Sequence, residues 1–156
     1  MLMYNIHLQW DRETEDFNYR SYNRKHTVFF NGGPKIEINS SSHFMRNPQF
    51  HSPEELLIAS LSSCFLLTFL SLCSKKKYIV DSYTDQGFCH VDEHNKIITD
   101  IVLSPVVSFE QNNKPDKKTM EKLFDEAHNL CIIANSFKAP IRISPSFADD
   151  NPSSEQ

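Results

Sequence analysis

The spacing of apolar residues in the first third of the chain predicts three short strands. Residues 4–10 alternate between apolar and polar side chains, which is the period of a half-buried strand. After a long polar link, residues 11–24, two strand-like runs cover residues 26–30 and 35–39. The sequence NGGP at positions 31–34 joins them, and its glycines can adopt the positive φ that a tight turn requires. These two runs therefore predict a hairpin.

A long helix is predicted in the middle of the chain. Ser52 is a suitable N-cap, Pro53 suits the first helical position, and Glu54 and Glu55 place negative charge in the first turn. Residues 56–73 are then apolar on nearly every face, which is typical of a helix buried in a protein core or in a membrane. Because the run also carries five hydroxyl residues and has strand-like segments on both sides, a buried central helix is favoured over a membrane span.

The second half of the chain predicts two long strands, a second helix and a last strand. Residues 78–91 and 97–109 are rich in β-branched and aromatic residues, and residues 117–130 have apolar positions at helical spacing. A short strand is expected at residues 140–143. The resulting order, βββαββαβ, predicts an α+β domain in which two helices pack on an antiparallel sheet. One domain is expected over residues 1–147, with a disordered polar tail at 148–156.

Composition removes several classes of function. The 156 residues include three glycines, so neither a GxGxxG nor a GxxxxGK[ST] nucleotide loop can be written anywhere in the chain. A net charge of −4 argues against a large nucleic-acid surface. The first ten residues lack the basic and apolar segments of a secretory leader, so a cytoplasmic location without membrane association is expected.

Four cysteines are the candidate reactive groups, and free thiols are expected for them. Cys64 lies in the middle of the long helix, and Cys131 follows the second helix directly. The two can form a redox pair if folding brings their Cα atoms within about 4.4 to 6.8 Å. His128, three residues before Cys131, is a weak candidate for a zinc ligand or a catalytic base, since no CxxC or HxxxH element accompanies it. Cys73 is expected in the core, and Cys89 is expected to have no role.

Three segments resemble the OsmC family, which comprises osmotically inducible proteins and organic hydroperoxide resistance proteins. Residues 53–65, PEELLIASLSSCF, are similar to its central-helix motif, and residues 127–131, AHNLC, to its second cysteine motif. Arg24, thirty residues before Glu54, lies where the family has an arginine at the start of its second strand, with Arg20 as the alternative. Two isoleucines follow the second cysteine where the hydroperoxide resistance branch commonly has proline, so the chain looks closer to the general OsmC-like branch.

The resemblance covers about residues 4–145 and implies a thiol peroxidase that needs no metal or other cofactor. Cys64 would be the reactive cysteine and Cys131 the resolving one. Arg24 would favour the Cys64 thiolate, because an unperturbed thiol with a pKa of about 8.5 is mostly protonated at pH 7. Glu54 would hold the guanidinium by a bidentate pair. The implied cycle reduces an organic hydroperoxide, or hydrogen peroxide, forms a disulfide and is restored by an external dithiol, typically a lipoyl group.

The same resemblance implies the OsmC-like fold, with antiparallel sheets packed around two central helices in an intertwined homodimer. Within one continuous helix, Glu54 and Cys64 are ten residues apart, about 15 Å along the axis. A two-fold dimer that places the acid of one chain beside the cysteine of the other would bring them together. The alternative function is a non-catalytic module of this fold that binds a small hydrophobic ligand in the dimer cavity.

Overall fold

The computed structural model describes residues 1–39 and 49–150, and these divide into two compact units. The first unit, Met1–Leu56, holds an antiparallel sheet in the order β1-β2-β3, and the second unit begins at Leu57. The three strands of the first unit are β1 (Ile6–Gln9), β2 (His26–Phe30) and β3 (Lys35–Ile38).

The predicted hairpin is confirmed, but the burial predicted for the first strand is wrong within this unit. Gly32 and Gly33 have φ values of 89° and 105°, the left-handed conformation that glycine adopts without steric cost. All four residues of β1 are exposed, including Ile6 and Leu8. The alternation of apolar residues here correctly marks a strand, although the apolar side chains are not covered inside the first unit.

The link between β1 and β2 is organised by side chains rather than by regular structure. The Asn23 amide donates to the carbonyl of Asp11 at 2.9 Å, and its oxygen accepts the N–H of Glu13 at 2.9 Å. The Trp10 indole N–H donates to the Asn23 carbonyl at 2.8 Å. These bonds satisfy backbone groups that no strand partner reaches, which gives the polar link a defined conformation.

The central helix α1 (Pro53–Lys75) begins and ends on local hydrogen-bonding motifs. Ser52 and Glu55 form a capping box, in which the Ser52 hydroxyl accepts the Glu55 N–H at 3.1 Å and the Glu55 carboxylate accepts the Ser52 N–H at 2.8 Å. At the other end Lys77 adopts a φ of 64°, and the N–H groups of Lys77 and Tyr78 return to carbonyls of the last turn. The predicted start at Pro53 is therefore confirmed.

The second unit contains a four-stranded sheet and the second helix. The predicted α+β class with two helices is confirmed, and strands β4 and β5 are antiparallel, as predicted. The predicted antiparallel sheet is mixed here, because β6 and β7 both pair with β5 in parallel. The physical reason is that α2 forms a crossover between β5 and β6, which returns the chain in the direction of β5. The elements are β4 (Val80–Asp92), β5 (Ile97–Phe109), α2 (Lys117–Leu130), β6 (Ile141–Ile143) and β7 (Ser146–Phe147).

The core of the second unit lies between α1, α2 and the inner face of the sheet. Phe69 is fully buried and stacks on Phe124 of α2 with a ring-centroid separation of 4.3 Å. Phe65, one turn earlier on α1, stacks on the same ring at 5.8 Å. At Gly87 of β4, an added Cβ would lie 2.7 Å from the Ile58 side chain. Glycine at this position therefore lets α1 approach the sheet closely.

Within the second unit, α1 is not buried on all of its faces. One stripe of the helix lies in the core, while Ser60, Ser63, Leu67 and Ser71 are exposed, Leu67 by 66%. The spacing of these four residues places them on one face of the helix. By length and composition alone α1 is also long and apolar enough to cross a membrane. The hydropathy pattern identified the helix but did not distinguish its covered face from its open one.

The end of the chain is only partly described. Residues Ala148–Asp150, which the sequence places in a disordered tail, form a short 3-10 helix after β7. Residues 151–156, the rest of that predicted tail, lie outside the described residues.

Candidate active site

Cys64 and Cys131, which are 67 positions apart in the sequence, lie side by side in the second unit. Cys64 is half-buried in the middle of α1, and Cys131 is fully buried at the residue that ends α2. The two side chains are close enough for Cys64 to raise the pKa of the Cys131 thiol, and both cysteines are free. The predicted meeting of these two cysteines is the main feature of the candidate site.

Cys131 ends α2 because its backbone leaves the helical region, with φ −73° and ψ 111°. This turns the sulfur toward the N–H groups of the next residues. The Ala134 N–H donates to Sγ at 3.5 Å, and the Ile133 N–H also faces the sulfur. Burial raises the pKa of Cys131 and the neighbouring Cys64 adds to the increase, whereas the two N–H groups oppose it. Cys131 is therefore a protonated thiol in this state.

A groove of about 600 Å³ runs along the exposed stripe of α1 and gives access to Cys64. Its floor carries hydroxyl groups, and its walls carry aliphatic side chains. Cys64 contributes to the lining, whereas Cys131 lies behind it. The lining residues are Ser60, Ser63, Cys64, Leu67, Thr68, Ser71, Leu72, Lys75, Leu130 and Ile133.

Hydrogen bonds fix the part of α1 that carries Cys64. The Ser62 hydroxyl donates to the Asp85 carboxylate at 2.5 Å, and the same carboxylate accepts the Ser104 N–H at 2.8 Å. Thr68 donates its hydroxyl proton to the Cys64 carbonyl at 2.9 Å. Sequence reasoning missed Asp85, because its place beside Ser104 depends on the register between β4 and β5, which the sequence does not reveal.

Arg24 lies in the first unit, in an aromatic environment. Its guanidinium carbon is 3.8 Å from the centroid of the Tyr22 ring and 5.1 Å from that of Tyr19. The guanidinium also donates hydrogen bonds to the backbone carbonyl oxygens of both tyrosines, and the bond to the Tyr22 oxygen is 3.1 Å long. Arg24 lines a depression of about 410 Å³ together with Trp10, Phe17, Tyr22, His26, Asn39 and Pro53, whereas Arg20 is exposed.

Glu54 is half-buried in the first turn of α1, with its Oε2 atom buried, and it is Glu55 that closes the capping box. Arg24 and Glu54 belong to the first unit, and Cys64 and Cys131 to the second. Their assignment to one site, with Arg24 beside Cys64, stays a prediction.

The remaining sequence candidates have other environments. Among the described residues, no group of three or more His, Cys, Asp or Glu residues is placed to hold a metal. His128 is half-buried, and its carbonyl accepts the N–H of Cys131 at 3.3 Å. Cys73 is buried, as predicted, and burial raises the pKa of its thiol to about 11. Cys89 is half-buried on β4.

Comparison with known proteins identifies the fold and the family. The model of the family described as OsmC-like protein matches residues 47–146. An OsmC-like protein of unknown function from Vibrio cholerae is 33% identical with a TM-score of 0.87, and the alignment covers 94% of this chain and all of that one. No curated protein matches the sequence.

More distant solved structures share the fold at lower identity. An organic hydroperoxide resistance protein from Elizabethkingia anophelis has a TM-score of 0.64 at 16% identity, covering 94% of this chain and 96% of its own. One from Legionella pneumophila has the same TM-score at 13% identity, covering 94% and 98%. The family match spans well over half of the sequence, and the chain therefore belongs to the OsmC-like protein family.

Proposed function

We propose that this protein is a thiol-dependent peroxidase that reduces organic hydroperoxides through Cys64 and Cys131. The observation that carries the proposal is that the two cysteines are neighbours in the fold, one of them lining a groove and the other fully buried. A peroxidase of this type needs one thiol that a peroxide can reach and a second close enough to form a disulfide with it. Some structural neighbours are named as organic hydroperoxide resistance proteins, which supports the same class of substrate.

The chemistry requires two steps at these sulfurs. The Cys64 thiolate attacks one oxygen of the O–O bond, the other oxygen leaves as an alcohol after protonation, and Cys64 becomes a sulfenic acid. Cys131 then attacks the Cys64 sulfur, forms the disulfide and releases water. An external dithiol restores both thiols by exchange. No metal or organic cofactor takes part in these steps.

The groove favours a peroxide that has an apolar substituent. Aliphatic side chains from α1, from the end of α2 and from the residues after it line the walls beside Cys64, among them Leu67, Leu130 and Ile133. Burial of an alkyl group against such side chains contributes about 25 cal/mol for each Å² of apolar surface removed from water. Hydrogen peroxide has no such group, so we expect alkyl hydroperoxides to be the better substrates.

Replacement of Cys131 by serine tests the resolving role. We expect the variant to reduce about one equivalent of peroxide and then to lose tenfold or more in steady-state turnover with a dithiol, because the sulfenic acid has lost its adjacent thiol. Peroxide consumption with dithiothreitol gives the rate, and dimedone labelling with mass spectrometry detects the sulfenic acid. Cys89→Ser is the matched control and should keep the wild-type rate. Full steady-state activity in Cys131→Ser would contradict the resolving role.

Two chains are proposed to form the functional unit, in the cytoplasm. The support is the exposed apolar residues of β1, Ile6 and Leu8, which a second copy can cover. In the proposed homodimer, Glu54 of one chain acts beside Cys64 of the other and orients Arg24. Light scattering should then give twice the mass of the 18.1 kDa chain. A monomer at assay concentrations would contradict this arrangement.

Mixing two inactive variants tests the contribution of each chain. Cys64→Ser and Glu54→Gln should both be defective alone. If Glu54 acts across the dimer, a heterodimer has one intact site, and an equal mixture that is unfolded and refolded together regains about a quarter of the wild-type activity. If Glu54 acts within its own chain, the mixture regains none, which would contradict the shared site.

A further inference from the structure

The two thiols of the candidate site differ sharply in access. Cys64 lines the groove along α1, whereas Cys131 has no exposed surface and lies behind it. A disulfide between them would therefore present one sulfur to the groove and keep the other covered. Because thiol–disulfide exchange requires in-line attack on one particular sulfur, access decides which sulfur the reductant attacks.

We propose that the external reductant attacks the Cys64 sulfur of the disulfide and that Cys131 is always the leaving sulfur. This proposal rests on the proposed function, since it concerns the step that restores the two thiols. It assigns Cys64 two successive roles, first as the nucleophile toward peroxide and later as the electrophile toward the reductant. Cys131 never forms a bond to a molecule outside the protein.

The exchange balances as two displacements by an aliphatic dithiol. In the first, one thiolate of the reductant bonds to the Cys64 sulfur, the Cys64–Cys131 bond breaks, and its electron pair leaves on the Cys131 sulfur. In the second, the remaining thiolate of the reductant attacks its own sulfur in the mixed disulfide. This releases Cys64 as a thiolate and the reductant as a cyclic disulfide, so the protein gains two electrons and the dithiol loses two.

The surroundings of Cys131 suit a leaving group that stays inside the protein. The N–H groups of Ile133 and Ala134 face its sulfur and can donate hydrogen bonds to the thiolate as it forms. Burial raises the pKa of Cys131, so the departing thiolate then takes up a proton and becomes a poor nucleophile for the reverse reaction. Cys64 has the groove beside it instead, with the space that a mixed disulfide requires.

Mapping of the mixed disulfide tests the direction of exchange. The Cys64–Cys131 disulfide is formed with diamide, without any peroxide, and is then mixed with excess 2-mercaptoethanol and quenched with iodoacetamide at short times. Mass spectrometry of peptides identifies the mercaptoethanol adduct and the alkylated thiol. We expect the adduct on Cys64 and alkylation on Cys131 to exceed the reverse pattern tenfold or more at the earliest time. Equal amounts, or an excess of the adduct on Cys131, would overturn the proposal.

Controls separate this result from a failure of the proposed function. The same disulfide in protein unfolded with guanidinium chloride should give nearly equal adducts on the two cysteines. If the unfolded protein still gives more adduct on Cys64, burial is not the cause of the preference, and the proposal is overturned. If diamide forms no Cys64–Cys131 disulfide, both the exchange step and the proposed catalytic cycle are wrong. If the disulfide forms and the adduct lies on Cys131, only the direction of exchange is wrong.

Discussion

Cys64→Ser is expected to abolish peroxide consumption, with a loss of about 10³-fold or more in the rate with dithiothreitol and cumene hydroperoxide. The reason is chemical, because a serine hydroxyl is far less acidic than a thiol and does not attack the O–O bond. The substitution replaces one sulfur by oxygen at a half-buried position, so the fold should be kept. Circular dichroism and the melting temperature check that it is.

Cys89→Ser provides the control for this experiment too, because Cys89 is also half-buried but lies on β4 rather than on the groove. It should consume peroxide at the wild-type rate. Unchanged turnover in Cys64→Ser would exclude the peroxidase. The alternative function, a non-catalytic module that binds a hydrophobic ligand, would then become the better account of the groove.

Phe69→Ala is expected to lower the free energy of unfolding by about 3 to 5 kcal/mol. The ring has no exposed surface and contacts three other aromatic rings, with centroid separations of 4.3 Å to Phe124, 5.9 Å to Tyr83 and 6.5 Å to Phe109. These rings come from α2, β4 and β5, so truncation leaves a cavity where both helices and the sheet meet. Urea denaturation followed by circular dichroism measures the change.

Phe88→Ala is the matched control for the core, since Phe88 lies on β4 and is 48% exposed. Because half of its ring already contacts water, we expect its removal to cost about 1 kcal/mol or less. A similar cost for both phenylalanines would contradict the placement of the core between α1, α2 and the inner face of the sheet.

The elements with strong local signals could be predicted closely from the sequence. The helix α1 begins at Pro53 because Ser52 caps it, and α2 covers residues 117–130, where the apolar spacing is helical. The strand β5 also has the predicted bounds, since β-branched residues recur along most of its length. In each case the interactions that determine the element are local in sequence, so one sequence is enough to predict them.

The structure differs from the sequence-based predictions where contacts between distant parts of the chain determine the fold. Whether β6 pairs in parallel depends on the crossover through α2, which the composition of β6 does not encode. The apolar run of α1 does not reveal that Ser60, Ser63 and Leu67 stay open within the second unit. A hydropathy pattern records which residues can be buried, but not which surface buries them.

The candidate site, like the fold, could be predicted only in part from the sequence. The motifs around Cys64 and Cys131 pointed to these two thiols, and the fold makes them neighbours. Their unequal access could not be predicted, because it depends on how α2 ends at Cys131 and turns the sulfur inward. Arg24 was predicted as a site residue from its motif position, but its stacking on Tyr22 follows from the conformation of the link before β2.

The most direct test is to treat the reduced protein with one equivalent of cumene hydroperoxide and to measure its intact mass and its cross-linked peptides. A peroxidase that uses this pair of thiols should lose about 2 Da, release one equivalent of the alcohol and yield a peptide pair joined through Cys64 and Cys131. Recovery of the hydroperoxide with an unchanged protein mass, or a disulfide that involves Cys73 or Cys89 instead, would contradict it.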